Sequence, residues 1–78
     1  MDPFVGLIAL FPYQFSQNGW FTCEGQVLSV AEYQPLFSLI GNQFGGDGEQ
    51  TFVLPKLAGP APGLRYFIAV EGIYPSRG

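Results

Sequence analysis

With a single cysteine, Cys23, and no histidine, this 78-residue chain has no internal disulfide to brace it and lacks the usual ligands of a zinc clip. The length allows one domain, spanning 1–78. Surface scaling gives such a domain roughly 4,600 Å² of folded surface and burial of about 60% of what the extended chain exposes. A core of that size is marginal, so close packing and oligomerisation are left to stabilise it.

The expected surface points towards assembly. Only 12% of the residues are charged while 17% are aromatic, which leaves roughly 500 Å² of surface per charge. At that density apolar patches of a few hundred Å² are hard to avoid, and such patches usually mark interfaces. The plainer alternative is a weakly charged monomer with its aromatics inside. The net charge is −3, with Lys56, Arg65 and Arg77 as the only cations. Nucleic-acid binding and attachment to an anionic membrane surface both need more positive charge than this. The start, Met1-Asp2-Pro3-Phe4, has no basic n-region, so synthesis in the cytoplasm without a secretory signal is expected. The longest apolar run, Phe4 to Phe11, is far short of the ~20 residues of a membrane span, so no membrane insertion is expected.

Glycine and proline punctuate the chain throughout, dividing it into short elements. Residues 4–11 alternate apolar with apolar, which predicts a strand buried on both faces and closed by Pro12, its second cover drawn from the same domain or a neighbouring subunit. Ser16-Gln17-Asn18-Gly19 reads as a turn, Trp20 to Cys23 as an extended piece, Glu24-Gly25 as a tight turn, and Gln26 to Leu28 as the next strand. Ser29 and Glu32 have the spacing of a capping box, and Tyr33, Leu36, Phe37 and Ile40 share one helical face, with Gly41 fit to end it. Pro35 conflicts with a helix already running at Val30 and belongs near the helix start. A short helix at about 30–40 follows. Asn42 to Gln50 is a Gly-rich structured loop, Thr51 to Leu54 a brief strand stopped by Pro55, and Gly59 to Gly63 a stiff turn. Alternation predicts the last strand at 64–71. The strands at 4–11 and 64–71 lie at the chain ends and are read as exposed edges, templates for pairing with another copy.

Catalytic chemistry is sparse. The absent histidine removes the commonest general base, and Lys56 sits in a Pro-bounded loop with no nucleophile motif beside it. Asp47 and Glu49 are the closest carboxylates. Asp47 reads first as a turn residue bonding nearby amides, since a calcium site would want more acidic oxygens. Gly45-Gly46-Asp47-Gly48 lacks the Gly-Lys-Ser/Thr ending of a phosphate cradle. Cys23 has no cationic neighbour and reads as a small core residue. No cofactor or metal is expected, and the chain is not expected to be an enzyme.

The stretch Gly6-Leu7-Ile8-Ala9-Leu10-Phe11-Pro12, followed by Gly19-Trp20-Phe21-Thr22-Cys23-Glu24-Gly25-Gln26, resembles the opening of the phage tail collar domain family. Leu36 to Gly41 and Phe44-Gly45-Gly46-Asp47-Gly48 continue the likeness. Thr51-Phe52-Val53-Leu54-Pro55-Lys56-Leu57-Ala58-Gly59 is similar to that family's Thr-Phe-x-Leu-Pro-Asp-Leu-Arg-Gly signature, with Lys56, Ala58 and Pro60 standing where the family has charged residues of its own. The ending from Phe67 to Arg77 is similar to short, stand-alone members. The resemblance implies a small α+β tail-collar-like domain of short twisted antiparallel strands, with Gly45, Gly46, Asp47, Gly48, Thr51, Phe52, Leu54 and Pro55 as structural motif residues. It also implies a place in phage-tail-like structures, where relatives sit near the ends of tail fibres and often act as oligomers.

The expected function is therefore a non-enzymatic structural module that self-associates into a homo-oligomer or helical filament, as a tail component or the subunit of an extracellular fibre. Phe4, Leu7, Ala9, Phe11, Phe67, Ile73 and Tyr74 are the candidate contacts. The alternative is a module that binds a surface glycan or receptor. Tyr13, Trp20 and Tyr33 would then stack on sugar rings, while Asn42, Gln43 and Asp47 orient them.

Overall fold

The structure, a computed structural model, describes residues 3–12, 14–15 and 17–75. The chain forms β1 (Ile8–Pro12), β2 (Trp20–Thr22), β3 (Val27–Ser29), helix α1 (Gln34–Ile40), β4 (Thr51–Val53) and β5 (Leu64–Ala69). One sheet has the order β1-β5-β2 and the other pairs β3 with β4, every ladder antiparallel. This is the expected α+β class, with one short helix among the described residues.

The 64–71 segment is the centre of its sheet and not an edge. β5 pairs along one side with β1, Ile8 opposite Ile68 and Pro12 opposite Leu64, and along the other with β2, Phe21 opposite Ile68. Phe67, Ile68, Ala69 and Val70 are consequently buried. The strand stops at Ala69 because Val70 and Glu71 both donate to Gly19 O and the chain then turns. β1 is the true edge. It begins at Ile8 rather than Phe4, because the chain turns at Val5-Gly6, with Leu7 N–H donating to Phe4 O at 3.0 Å. Phe4 instead forms a single parallel bridge with Ile73. Pro12 is the last residue of β1 rather than a stop beyond it, tolerated on an edge where no ladder donor is needed.

α1 is shorter than predicted. Its N-cap is Tyr33, which makes no side-chain cap bond, and Pro35 sits in its first turn. The capping box does not form, because Ser29 is engaged in the β3–β4 ladder opposite Thr51. Gly41 N–H closes the helix onto Phe37 O at 2.7 Å. The predicted helical face does point inward: Leu36 is fully buried, and Tyr33, Phe37 and Ile40 pack against the core.

That core joins Val5, Cys23, Leu36, Phe52, Leu54, Ile68 and Val70, drawing on both sheets, the helix and the turn before β1. The described buried residues are all apolar. Large apolar side chains are also left outside: Phe4, Leu7, Ile8, Leu10, Val27, Leu39, Phe44, Leu57, Ile73 and Tyr74 are exposed. Burial of apolar area is the main stabilising force, so exposure on this scale in a marginal core leaves much of it unused in the single chain.

Candidate functional site

The Gly45–Pro55 segment is built for folding. Asp47 Oδ1 accepts from the backbone N–H of Glu49, Gln50 and Thr51 at 2.9, 2.8 and 3.0 Å. The Thr51 bond, then those from Glu49 and Gln50, hold the Asp47 carboxyl down at about 2, below its ordinary 3.8. Asp47 N–H returns a bond to Thr51 Oγ1, and Gly48 N–H one to Thr51 O. The loop thus closes on the start of β4. Gly46 must be glycine twice over: its φ is +91°, and a Cβ would meet Phe52 Cα at 2.6 Å. Phe52, Leu54 and Pro55 then enter the interior. Asp47 spends its acceptor on its own turn, and among the described residues no group of three or more acids or thiols is gathered for a metal.

Cys23 lies in the core, its thiol pushed up to about 11 by burial. Ordinary nucleophilic use requires the thiolate, which burial disfavours. Arg65, partly exposed, and Glu24, exposed, form a surface ion pair at 3.2 Å, of the kind that contributes at most about 1 kcal/mol.

The chain ends form an apolar seam. Val5 N–H donates to Ile73 O and Ile73 N–H to Pro3 O, at 2.9 and 2.8 Å. Tyr74 reaches α1, its hydroxyl 2.6 Å from Ser38 Oγ. Phe4, Leu7, Ile73 and Tyr74 are thereby presented outward, with Leu39 of α1 nearby. Between residues 3 and 23, and again between 33 and 46, the sequence has no charged residue. β1, Phe4, Leu7 and Leu39 therefore come from uncharged stretches, while Ile73 and Tyr74 follow Glu71.

Phe11 and Phe67 lie differently. Phe11 stacks on Phe15 with ring centres 4.0 Å apart and meets Trp20 edge-on at 5.1 Å. Phe15 also covers Phe67 at 5.0 Å. The second cover of this sheet comes from the chain's own Phe15 and Trp20. Phe67 is buried under them and offers no surface to a partner, while Ala9 and Phe11 are half-buried. On β1 the unforeseen exposed residues are Ile8 and Leu10, each 41% exposed. Alternation in an all-apolar stretch does not say which face the core takes.

Of the residues read as glycan contacts, Tyr13 lies outside the described residues. Trp20 and Tyr33 do share a cleft of about 390 Å³. Its polar groups come from Gln17, Asn18 and Glu71, which residue type alone did not single out, whereas Asn42, Gln43 and Asp47 do not line it. Gln43 is turned back onto Ile40 O at 3.0 Å. Tyr33 is also engaged edge-on by Phe21 at 5.6 Å. A second cavity, of about 300 Å³, lies beside Tyr33 and Tyr74 and also includes Glu32 and Glu71. No helix among the described residues is long and apolar enough to cross a membrane.

The family model described as Phage Tail Collar Domain matches residues 6–62. No curated protein and no solved structure matches the chain.

Proposed function

The chain belongs to the phage tail collar domain family, a structural module of tail fibres, and from that premise we propose that it is a non-enzymatic building block that associates with copies of itself. It works as one domain over residues 1–78, in a virion tail, a tail-like particle or an extracellular fibre. The observation that carries this is the uncharged apolar surface formed by Phe4, Leu7, Ile73 and Tyr74 at the seam and continued by Ile8 and Leu10 on β1. A core of few side chains beside so many exposed ones is the balance expected of a subunit whose interior is completed by its neighbours. Light scattering and negative-stain microscopy of the purified protein test it. A closed oligomer or a filament is expected, and a strictly monomeric species at high micromolar concentration would overturn it.

A second reading has one observation in its favour, the cleft shared by Trp20 and Tyr33 with Asn18 and Glu71 at its polar positions. An aromatic face with adjacent hydrogen-bonding groups suits a sugar ring. Saturable binding on a glycan array, lost with Trp20→Ala and retained by a non-assembling variant, would support it. A uniformly blank array would remove it. Assembly would then make weak binding multivalent.

A further inference from the structure

We propose that the free edge of β1 pairs with β1 of a second copy, antiparallel and centred on Ala9, extending each three-stranded sheet across a two-fold axis. This rests on the self-association proposed above and specifies its contact.

The register of the sheet fixes which backbone groups are free. Ala69 N–H donates to Leu7 O at 2.9 Å, so the residues of β1 in phase with Leu7, namely Ala9 and Phe11, turn their N–H and C=O towards β5, opposite Phe67 and Arg65. Ile8, Leu10 and Pro12 therefore direct theirs away from the sheet. Pro12 has no N–H to give, and its C=O already accepts from Phe15 N–H at 2.8 Å. The open ladder is thus Ile8 and Leu10, whose donors and acceptors on that side have no partner among the described residues.

Such a ladder is self-complementary in one antiparallel register. Centred on Ala9, Ile8 of each copy faces Leu10 of the other, and every open N–H and C=O of the two residues finds a partner. The ends match too. Pro12 falls opposite Gly6, whose N–H is already donated to Ala69 O at 2.8 Å, so neither strands a donor. Centring on Leu10 would set Ile8 against Pro12, which cannot donate. Centring on Ile8 would set Leu10 against Gly6, whose donor is taken. Pairing through the edge suits a second copy because β1 carries none of the devices that block edges apart from Pro12: no lysine, no inward charge and, among the described residues, no strand paired along this side. The side chains at the open rungs, Ile8 and Leu10, are apolar and partly exposed, ready to pack across the axis.

The register places the Ala9 Cα atoms of the two copies about 4.5 Å apart as a non-hydrogen-bonded pair, inside the span a disulfide bridges. Ala9→Cys is therefore expected to give a covalent dimer on mild oxidation at least about 10-fold faster than Ile8→Cys, with Cys23 buried and silent in both. Charge pairs read the same register. Ile8→Lys with Leu10→Lys sets like charges across each rung and should weaken association roughly 10-fold or more. Ile8→Lys with Leu10→Glu sets opposite charges there and should restore it in a salt-sensitive form. Near-ultraviolet circular dichroism of each variant establishes that the fold is kept. If the wild type associates but Ala9→Cys crosslinks no faster than Ile8→Cys, and both charge pairs behave alike, this contact is wrong while self-association stands. A monomeric wild type overturns both.

Discussion

Asp47 gathers three backbone N–H groups on one carboxylate oxygen, and this makes the loop's integrity a matter of pH. Its carboxyl is held at about 2 against an ordinary 3.8. A depressed folded-state pKa means the unfolded chain takes up the proton first, so the stabilisation is present above about 3.8 and is lost as pH falls towards about 2. Thermal melts across that window should show the wild type losing stability more steeply than Asp47→Asn, and parallel curves would remove Asp47 as the cause. The neighbouring glycines differ in what surrounds them. Gly46→Ala forces a side chain against Phe52 Cα at a φ of +91° and should cost roughly 2–4 kcal/mol. At Gly48 the obstruction is the movable Asn42 side chain, so Gly48→Ala should cost less, and denaturant melts of the two variants will rank them. Cys23 offers a probe of the interior. With its thiol pushed up to about 11 by burial, alkylation at mildly alkaline pH should be slow in the folded protein and fast in denaturant. Prompt native labelling would contradict a closed core.

Among the elements, α1 shows how packing overrides local signals. Its seven residues have no side-chain cap, and so short a helix has little stability of its own. What holds it is Leu36, fully buried beside Phe52 and Ile68. Leu36→Ala should cost about 2–5 kcal/mol, whereas Ser29→Ala and Glu32→Ala should each stay within about 0.5 kcal/mol. A cost near 1 kcal/mol for either would restore the capping box. The sequence made the helical face legible because the spacing from Tyr33 to Ile40 is a property of the helix itself. It was ambiguous about the N-terminus, since Ser29 suits a cap or a strand and only its pairing with Thr51 decides. The strand pattern failed for a related reason. Where residues 4–11 are apolar at every position, period two cannot choose the inward face or locate the turn at Val5-Gly6. Nor can it tell that β5 is central and β1 the edge, which depends on β2 arriving from a distant part of the chain. The motif residues from Gly45 to Pro55 were readable because each answers to local chemistry: a turn carboxylate, a crowded glycine, a buried phenylalanine. Trp20 and Tyr33 were legible as aromatic residues, but their polar neighbours in the cleft come from other segments and were not.

For the whole molecule, the distribution of charge decides how assembly should respond to solvent. The chain carries a net charge of −3, yet β1, Phe4 and Leu7 are drawn from a segment with no charge at all, and the seam's other side chains, Ile73 and Tyr74, are uncharged, with Glu71 the nearest carboxylate in sequence. Contact through them gains nothing from ion pairing, and the like charges of two subunits repel only from a distance, over a Debye length of about 10 Å at 0.1 M salt. Raising sodium chloride from about 0.05 to about 0.5 M should therefore leave the association constant unchanged or strengthen it slightly, as repulsion is screened. Sulfate should strengthen it clearly, by favouring burial of apolar surface, and cooling should weaken it. Lowering pH towards the isoelectric point near 4.4 should act in the same sense as salt, by removing the residual repulsion. Sedimentation equilibrium across these conditions separates this from a polar interface. A constant that falls steeply with sodium chloride would mean charged groups carry the contact, and Arg65 and Glu24 would then be the first residues to substitute. A constant that holds in salt and rises in sulfate would place the contact where the molecule is both apolar and uncharged, at β1 and the seam beside it.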